Sequence, residues 1–533
     1  MKQTGLPLNP GPITGPYDAI VIGSGIGGLT AAALLSKHAK KRILVLERHY
    51  AAGGFTHAFR RAGYEWDVGV HYIGGVNQAH SATRTAFDHL TEGRLQWHPM
   101  PEVYDRIQIG ERTYDFPAGI ENFRDRMKGY FPGETRAIDL YIAAVYSVVQ
   151  ASGLYFAEKA IPGPLASLIG GMLRFRFLRQ ADRTTVQVLS QFTQNRELIA
   201  VLAGQWGNYG LPPSQSSFAM HAMTVHHYFE GAGYPVGGAS EIAAAIAPLI
   251  ESAGGQIATN ADVAQVLLDR RNRAIGVCLA DGREILAPIV ISDAGAHTTY
   301  ARLLPGDLTN TLPIRRELGR IPPSMSHCCL YVGLTRNEGE PEFGSSNLWI
   351  FPDADHDGSL QRYTEDPDTP FPMLFISFPS AKDPTFSLRY PGRSTLEVIV
   401  PAPYSRFLPW AETRWKRRTS DYEAFKKALT TRLLDELHHH VPATKSRVAY
   451  AELSTPLSTR HFGNWPRGEM YGLGAVPSRF RIRNLGARTP IRNLYLTGQD
   501  ASVAGVTGAL AGGVIAASAI LGRNLASVVF RTP

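Results

Sequence analysis

Short, unbroken apolar runs beside glycine clusters mark the two ends of this chain, and longer mixed stretches lie between them. The first run, Ala19–Ile22, is apolar at every position, the pattern of a strand buried on both faces of a parallel sheet. It leads directly into Gly23-Ser24-Gly25-Ile26-Gly27-Gly28. An alanine- and leucine-rich stretch that predicts a helix follows, then a second apolar run, Ile43–Leu46, closed by Glu47. Further on, Tyr64–Tyr72 alternates in polarity like a half-buried strand and stops at Gly74-Gly75. From about Asn77 to Glu230 helical spacing dominates, as in Ala137–Val149 and Arg196–Ala203. Gly231–Gly238 reads as a turn before a helix, Glu241–Ala253. Val263–Leu268, Ala274–Leu279 and Ile285–Ile291 read as a three-strand meander divided by Arg270–Arg273 and by Asp281-Gly282. In a second mixed region, Leu330–Leu334, Leu348–Phe351, Met373–Phe378 and Thr395–Val400 are predicted strands. The chain closes on Asn493–Leu496, Gly498-Gln499-Asp500 and a glycine/alanine-rich helix. No internal repeat is present.

Strand, glycine turn, helix, strand and terminal acid is the pattern of a dinucleotide-binding unit, and each part has a physical task. Gly23 permits a tight turn, Gly25 lets backbone N–H groups approach a pyrophosphate, and Gly28 lets the helix pack closely on the strand. The helix N-terminus then offers unpaired donors and a positive dipole end to the phosphates. Glu47 falls 19 positions after Gly28, where a carboxylate reaches the adenosine ribose. The turn alone is weak evidence; its context makes it strong. Arg48, the adjacent Gly53-Gly54, and then Phe55 and Thr56 suggest a second close approach of backbone to cofactor.

The 533 residues are 44% hydrophobic and 19% charged, which excludes wholesale disorder and suggests more than one lobe. A net charge of +8 is modest for this length, and no nucleic-acid module accompanies it. Cys278, Cys328 and Cys329 form neither a disulfide framework nor a zinc site, so a reducing, cytoplasmic setting is expected. The Pro/Gly-rich start, Met1–Pro16, lacks the apolar core of a signal peptide. Ala501–Gly522 is uncharged and long enough to span a bilayer, but its Gly/Ala content reads as a loop and a buried helix. Ile161–Arg183 mixes apolar residues with Arg174, Arg176, Arg179 and Arg183, and Trp410–Arg418 repeats the aromatic-plus-basic theme. Such segments suit peripheral contact with a membrane surface or, equally, lids packed on their own protein. His226-His227 and His438–His440 lack companions at ligand spacing, so no metal is expected.

Several blocks carry a specific resemblance: Gly23-x-Gly25-x-x-Gly28, Glu47-Arg48, Gly53-Gly54, Asp67-Val-Gly69-Val-His71-Tyr-Ile-Gly74, Tyr234-Pro-x-Gly237-Gly238 and Leu496–Leu510. With these, the sequence resembles FAD-dependent oxidoreductases of the phytoene desaturase, carotenoid isomerase and retinol saturase superfamily, most of all the retinol saturase branch. The resemblance implies an α/β fold with a discontinuous, Rossmann-type, glutathione reductase-like FAD-binding domain over 15–76, 231–300 and 455–533. A mixed α+β substrate and lid domain over 77–230 and 301–454 completes it. It implies non-covalent FAD: Gly23, Gly25, Ile26, Gly27, Gly28 and Glu47 at the ADP half, and Val263 beside the adenine. Gly498 and Asp500 would lie at the ribityl chain, and Gly505, Val506 and Thr507 at the flavin pyrimidine ring. A helix N-terminus there also makes independent sense, because reduced flavin is anionic at that edge. No second glycine fingerprint follows a strand, and Gly231-Ala-Gly233 has the wrong spacing, so any redox partner such as NAD(P)H or a quinone is diffusible.

The implied substrate is a lipophilic polyene whose carbon–carbon double bonds are saturated, desaturated or isomerised. His71, which can exchange a proton at neutral pH, is the candidate catalytic residue, with Tyr72 and Glu230 in the same neighbourhood. A flavin amine oxidase is the alternative. Covalent attachment through a late cysteine is ruled out there, since none follows Cys329. A flavin- or lipid-binding protein without turnover is the third reading, and oligomeric state is left open.

Overall fold

The computed structural model describes residues 4–8, 13, 15–159, 163–309, 312–336 and 343–531. Parts of two predicted segments, the N-terminal Pro/Gly stretch and residues 161–162, lie outside them.

A six-stranded sheet runs in the order Leu6–Pro7, Gln256–Thr259, Ile43–Leu46, Ala19–Ile22, Val290–Ser292, Leu494–Leu496. Every neighbouring pair is parallel. Strands that are apolar throughout need cover on both faces, and they have it. Val21, Ile43, Val45 and Ile291 pack with helices Ile26–Ala39, Ser240–Glu251 and Val506–Leu521. Ile20, Ile22, Leu44 and Leu46 pack with the antiparallel strands Val263–Leu268, Ala274–Leu279 and Glu284–Leu286. Ile26–Ala39 and Val506–Leu521 meet through glycine: a Cβ on Gly513 would lie 2.5 Å from Thr30 Cβ and 2.6 Å from Gly27 O.

Three strand readings change. Ile285–Ile291 is two strands, because Pro288 has no N–H for a ladder: Glu284–Leu286 ends the meander and Val290–Ser292 enters the parallel sheet. Ala232–Pro235, read as turn, is the middle strand between Ile73–Gly74 and Trp97–Pro99. The turn is confined to Pro235–Gly238, closed by Gly238 N donating to Pro235 O at 3.0 Å, with Gly237 and Gly238 at φ +95 and +93. Tyr64–Tyr72 yields one strand, Tyr64–Asp67, paired with Ala58–Arg61. All four of its residues are buried, so the alternation does not mark a wet face.

The helical region before Glu230 also contains two strands that the helical spacing hid, Val103–Ile109 and Arg112–Pro117. They complete a seven-stranded sheet in the order Val448–Ser454, His327–Thr335, Arg393–Pro401, Leu374–Ser377, Asn347–Phe351, Val103–Ile109, Arg112–Pro117. One face carries Leu330, Val332, Val398 and Val400 against helix Ser420–His440. On the other face the period of two sorts the residues into rows. Asp105 sits opposite Asn347, and Glu397 opposite both Ser377 and Tyr331. Beside them Trp349, Phe375 and Ile399 form an apolar row.

Among the described residues one helical stretch, Pro132–Glu158, is long and apolar enough to cross a membrane, with mean hydropathy 1.4. The uncharged C-terminal stretch forms helix Val506–Leu521, buried at ten positions from Gly508 to Ala519.

Candidate functional site

One cavity of about 1320 Å³ runs from the carboxyl ends of the parallel strands to the apolar row of the seven-stranded sheet, with Tyr331 beside it. That exceeds the roughly 300–1,000 Å³ of a single small-ligand site. Its lining includes Gly23, Gly25, Ile26, Gly27, Glu47, Arg48, Gly53, Gly54, Phe55, Thr56, Val263, Asp500, Gly505, Val506 and Thr507 from the expected cofactor set, together with His71 and Tyr72. Gly28 and Gly498 are not on its wall. They allow close packing instead: a Cβ on Gly28 would run into Gly23 O, and one on Gly27 would lie 2.5 Å from Gly498 Cα. Glu230 is exposed and away from the cavity, which removes it from the neighbourhood assigned to it.

At the parallel-sheet end the donors are mostly backbone. Glu47 accepts from Ser24 N at 2.9 Å, Ser24 Oγ at 2.7 Å and His49 N at 2.8 Å. Gly53, at φ +120, bridges to Gly25, so the paired glycines support the first turn as well as lining the cavity. Asp500 accepts from Ala296 N at 2.8 Å and Leu473 N at 3.1 Å. Gly505 caps helix Val506–Leu521 at φ +90, and no heavy atom lies within 4 Å of where its Cβ would be. The helix N-terminus therefore opens into the cavity. His227 lies beside this terminus: Nε2 accepts from Gly74 N at 2.9 Å and is 3.5 Å from Thr507 Oγ1.

At the antiparallel-sheet end the partners are side chains. His71 Nδ1 lies 2.8 Å from Glu397 Oε2, and Glu397 is fully buried. Burial, and then the Lys382 charge, lower the His71 imidazole to about 3. Burial raises the Glu397 carboxyl against the pull of Lys382 and of the Asp67 backbone N–H. Asp67 moves in the same direction, through burial and the nearby Glu397 carboxyl. Lys382 Nζ donates to His71 O at 2.9 Å, Asn347 Oδ1 at 2.5 Å and Ser377 Oγ at 2.6 Å, and burial pushes it down to about 7. Removing two charges from water costs several kcal/mol each, so both members of this close His71–Glu397 contact are most stable neutral; neither Nδ1 nor the Glu397 carboxyl oxygens make a hydrogen bond of good geometry here. Glu397, Lys382 and Asp105 were not visible as site residues in the sequence. The available signal was an acid inside an otherwise apolar strand, Leu396-Glu397-Val398.

Tyr72 lies beside His71 on the cavity wall, but its hydroxyl is engaged behind that wall. Its hydroxyl donates to Asp105 at 2.8 Å and accepts from Asn208 at 3.2 Å. Burial, and next the Asp105 charge, raise it well above the ordinary range. Its ring lines the cavity and stacks on Tyr228 at 4.5 Å, so it acts as wall rather than acid. Trp349, Met373, Phe375 and Ile399 extend the same apolar wall.

The sequence model of the flavin containing amine oxidoreductases matches residues 26–521. This chain belongs to that family. The all-trans-retinol 13,14-reductase of Danio rerio is 40% identical over 95% of this chain and 86% of its own length. The chloroplastic prolycopene isomerase of Arabidopsis thaliana is 26% identical over 91% of this chain and 79% of its own. A putrescine oxidase structure superposes with a TM-score of 0.62 at 16% identity, covering 95% of this chain and 99% of that one, a likeness of fold. The cofactor of this flavin-containing oxidoreductase is FAD. The residues present fit it: a glycine turn too tight for side chains, an acid at strand end, and an open helix N-terminus line one cavity.

Proposed function

We propose that this flavoenzyme reduces a carbon–carbon double bond in a lipophilic polyene. The observation that carries the reading is His71, backed by the buried Glu397 at 2.8 Å, on the wall of an apolar, aromatic chamber that continues the cofactor cavity. The kinship to a retinol reductase and, at greater distance, to a carotenoid isomerase supports a polyene.

In this reading 15–76, 231–300 and 455–533 form the Rossmann-type, glutathione reductase-like FAD domain, and 77–230 with 301–454 form the substrate domain. Strand membership supports the division: five of the six parallel strands fall in the first set, all but the edge strand Leu6–Pro7, and all seven strands of the large antiparallel-type sheet fall in the second. Gly23–Gly28 and Glu47 hold the ADP half, Val263 flanks the adenine, Asp500 takes the ribityl chain, and Gly505–Thr507 face the pyrimidine ring.

Bound, reduced FAD supplies a hydride to one alkene carbon, and its electrons come from a diffusible donor of the NAD(P)H or quinol class. His71 supplies the proton to the neighbouring carbon from Nε2, while Nδ1, 2.8 Å from Glu397 Oε2, takes the proton of Glu397. Glu397 is left ionised beside Lys382, whose ammonium balances it. Trp349, Phe375 and Tyr72 exclude water and hold the chain flat.

A greasy substrate also needs a route from its membrane. On helix Gly163–Ala181, Leu168, Met172 and Phe175 are 81%, 75% and 67% exposed, and their spacing puts them on one face. Arg176 and Arg179 are exposed beside them, whereas Arg174 turns inward to pair with Glu158. The adjoining helix Thr135–Glu158 lines the cavity through Gly153, Phe156 and Ala157. This face is the membrane contact. Trp410–Arg418 is not, because Trp410 packs on Tyr422 and Phe425, and Trp415 stacks on His461.

The test is anaerobic mixing of oxidised and reduced enzyme with a retinol, a carotene, a polyunsaturated fatty acid and a primary amine. Re-oxidation of reduced flavin with loss of one double bond is expected. Bleaching of oxidised flavin by the amine alone would assign an amine oxidase. New polyene isomers without a change in flavin state would assign an isomerase.

A further inference from the structure

The cofactor end of the cavity contains a carboxyl group for which the glycine fingerprint has no use. Asp293 follows the parallel strand Val290–Ser292, and its N–H bonds to Ile22 O at 2.8 Å. This pins it opposite the glycine turn. A Cβ on Gly27 would lie 2.7 Å from Asp293 Oδ1 and one on Gly28 3.1 Å from Oδ2, while Gly25 and Gly498 come closer still. Four glycines thus surround one carboxyl, and the backbone N–H groups of Gly28 and Gly25 donate to it. That is the mouth of helix Ile26–Ala39, where a dinucleotide places its pyrophosphate.

The neighbours make an extra negative charge costly. Glu47 faces Asp293 from the end of strand Ile43–Leu46, and Asp500 from the loop after Leu494–Leu496. Helix Ile26–Ala39 brings backbone N–H groups and no charged side chain in its first turn, Ile26-Gly27-Gly28-Leu29. The nearest paired cations are engaged elsewhere: Arg479 lies 4.0 Å from Asp500, and Arg48 lies 3.5 Å from Asp262. Burial, reinforced by Glu47 and Asp500 and opposed by the Gly28 and Gly25 hydrogen bonds, pushes the Asp293 acid up to about 8. An ionised Asp293 would set an acceptor and a charge against a phosphate that is itself both. A neutral acid carries a donor.

We infer that Asp293 is a cofactor-binding residue that enters the complex as a neutral carboxylic acid and donates its proton to a phosphate oxygen of FAD. The inference rests on the FAD assignment and adds to it a proton linkage. When apoprotein binds FAD at a pH above the acid's own range, Asp293 must take one proton from solvent. Below that range it already holds one.

The experiment is FAD titration of flavin-stripped protein, read by fluorescence quenching from about pH 6.5 to about 9.5. The dissociation constant should be level up to about pH 8 and then weaken by about tenfold per pH unit. Asp293→Asn keeps a donor without a titrating proton, so its affinity should stay level across the range. Asp293→Ala should bind more weakly at every pH. Proton uptake by the unmodified protein, measured in weak buffer near pH 9, should approach one per FAD, and this readout needs no variant. Tight binding that is independent of pH, with no proton uptake, would overturn this inference alone. Failure to bind FAD at pH 7 would overturn the FAD assignment with it.

Discussion

Three carboxyl groups at the nucleotide end of the cavity and three buried behind its sheet-end wall are satisfied differently. At the nucleotide end, Glu47, Asp293 and Asp500 receive mainly backbone N–H groups, from Ser24 and His49, from Gly28 and Gly25, and from Ala296 and Leu473. At the sheet end, Asp67, Asp105 and Glu397 are met largely by side chains: Tyr234, then Tyr72, Gln205 and Asn347, and then His71. Backbone donors are fixed and cannot give up a proton, so the first arrangement suits holding a ligand. Titratable side chains can exchange protons, and burial moves the Asp67 and Glu397 carboxyls up and the Lys382 amine down toward neutrality. The second arrangement suits chemistry.

Disturbing the proton-sharing end should have the largest effect. Glu397→Gln and His71→Ala are each expected to lower kcat by about 10²–10⁴-fold, the usual contribution of a positioned acid, with the flavin spectrum unchanged. Combining them should cost little more than either alone, because the two residues act as a unit. Gly27→Ala strikes the other end, where its Cβ would meet Gly498 Cα. A loss of about 1–3 kcal/mol of stability is expected, with weaker flavin retention, measured by thermal unfolding and flavin release. Tyr72→Phe sharpens the distinction between wall and acid. It removes one hydrogen bond to Asp105 and should cost about 1–2 kcal/mol of stability while leaving kcat within about threefold. The smallest effect is a pH dependence. The Glu397 carboxyl is raised above its unfolded value, so the folded state keeps a proton that the unfolded state has released. Its stabilising contribution is therefore complete below the unfolded value and is lost as pH rises through the folded one. The stability gap between the unmodified protein and Glu397→Gln should shrink in the protein's disfavour over that interval, followed by denaturant unfolding.

The two ends also differed in how far the sequence could be read. The nucleotide end is written in consecutive residues: strand, glycines, helix and Glu47 follow one another within thirty-odd positions, so local rules sufficed. Asp293 was passed over there, because one acid after a short strand has no local signature. At the sheet end, Asp105, Asn347, Lys382 and Glu397 meet only through the strand order, and Val103–Ile109 joins from a region whose spacing read as helical. His71 was legible as a titratable residue in a glycine-bounded block. Its partner was not, since pairing across the sheet depends on register. Tyr72 and Glu230 were weaker candidates for the same neighbourhood, and the fold sends Glu230 to solvent and the Tyr72 hydroxyl to Asp105.

The central claim is that protons for the reaction are stored at the sheet end and delivered through His71. A single anaerobic turnover in D₂O tests it most directly, mixing reduced enzyme with all-trans-retinol and following flavin re-oxidation and product mass. The account predicts a product lacking one double bond that carries solvent deuterium at the carbon protonated by His71, in addition to any carried by the exchangeable hydrogen of reduced flavin, with re-oxidation slowed by about 10²-fold or more in Glu397→Gln. Equal rates in the variant and the unmodified enzyme, or a product without deuterium, would contradict it.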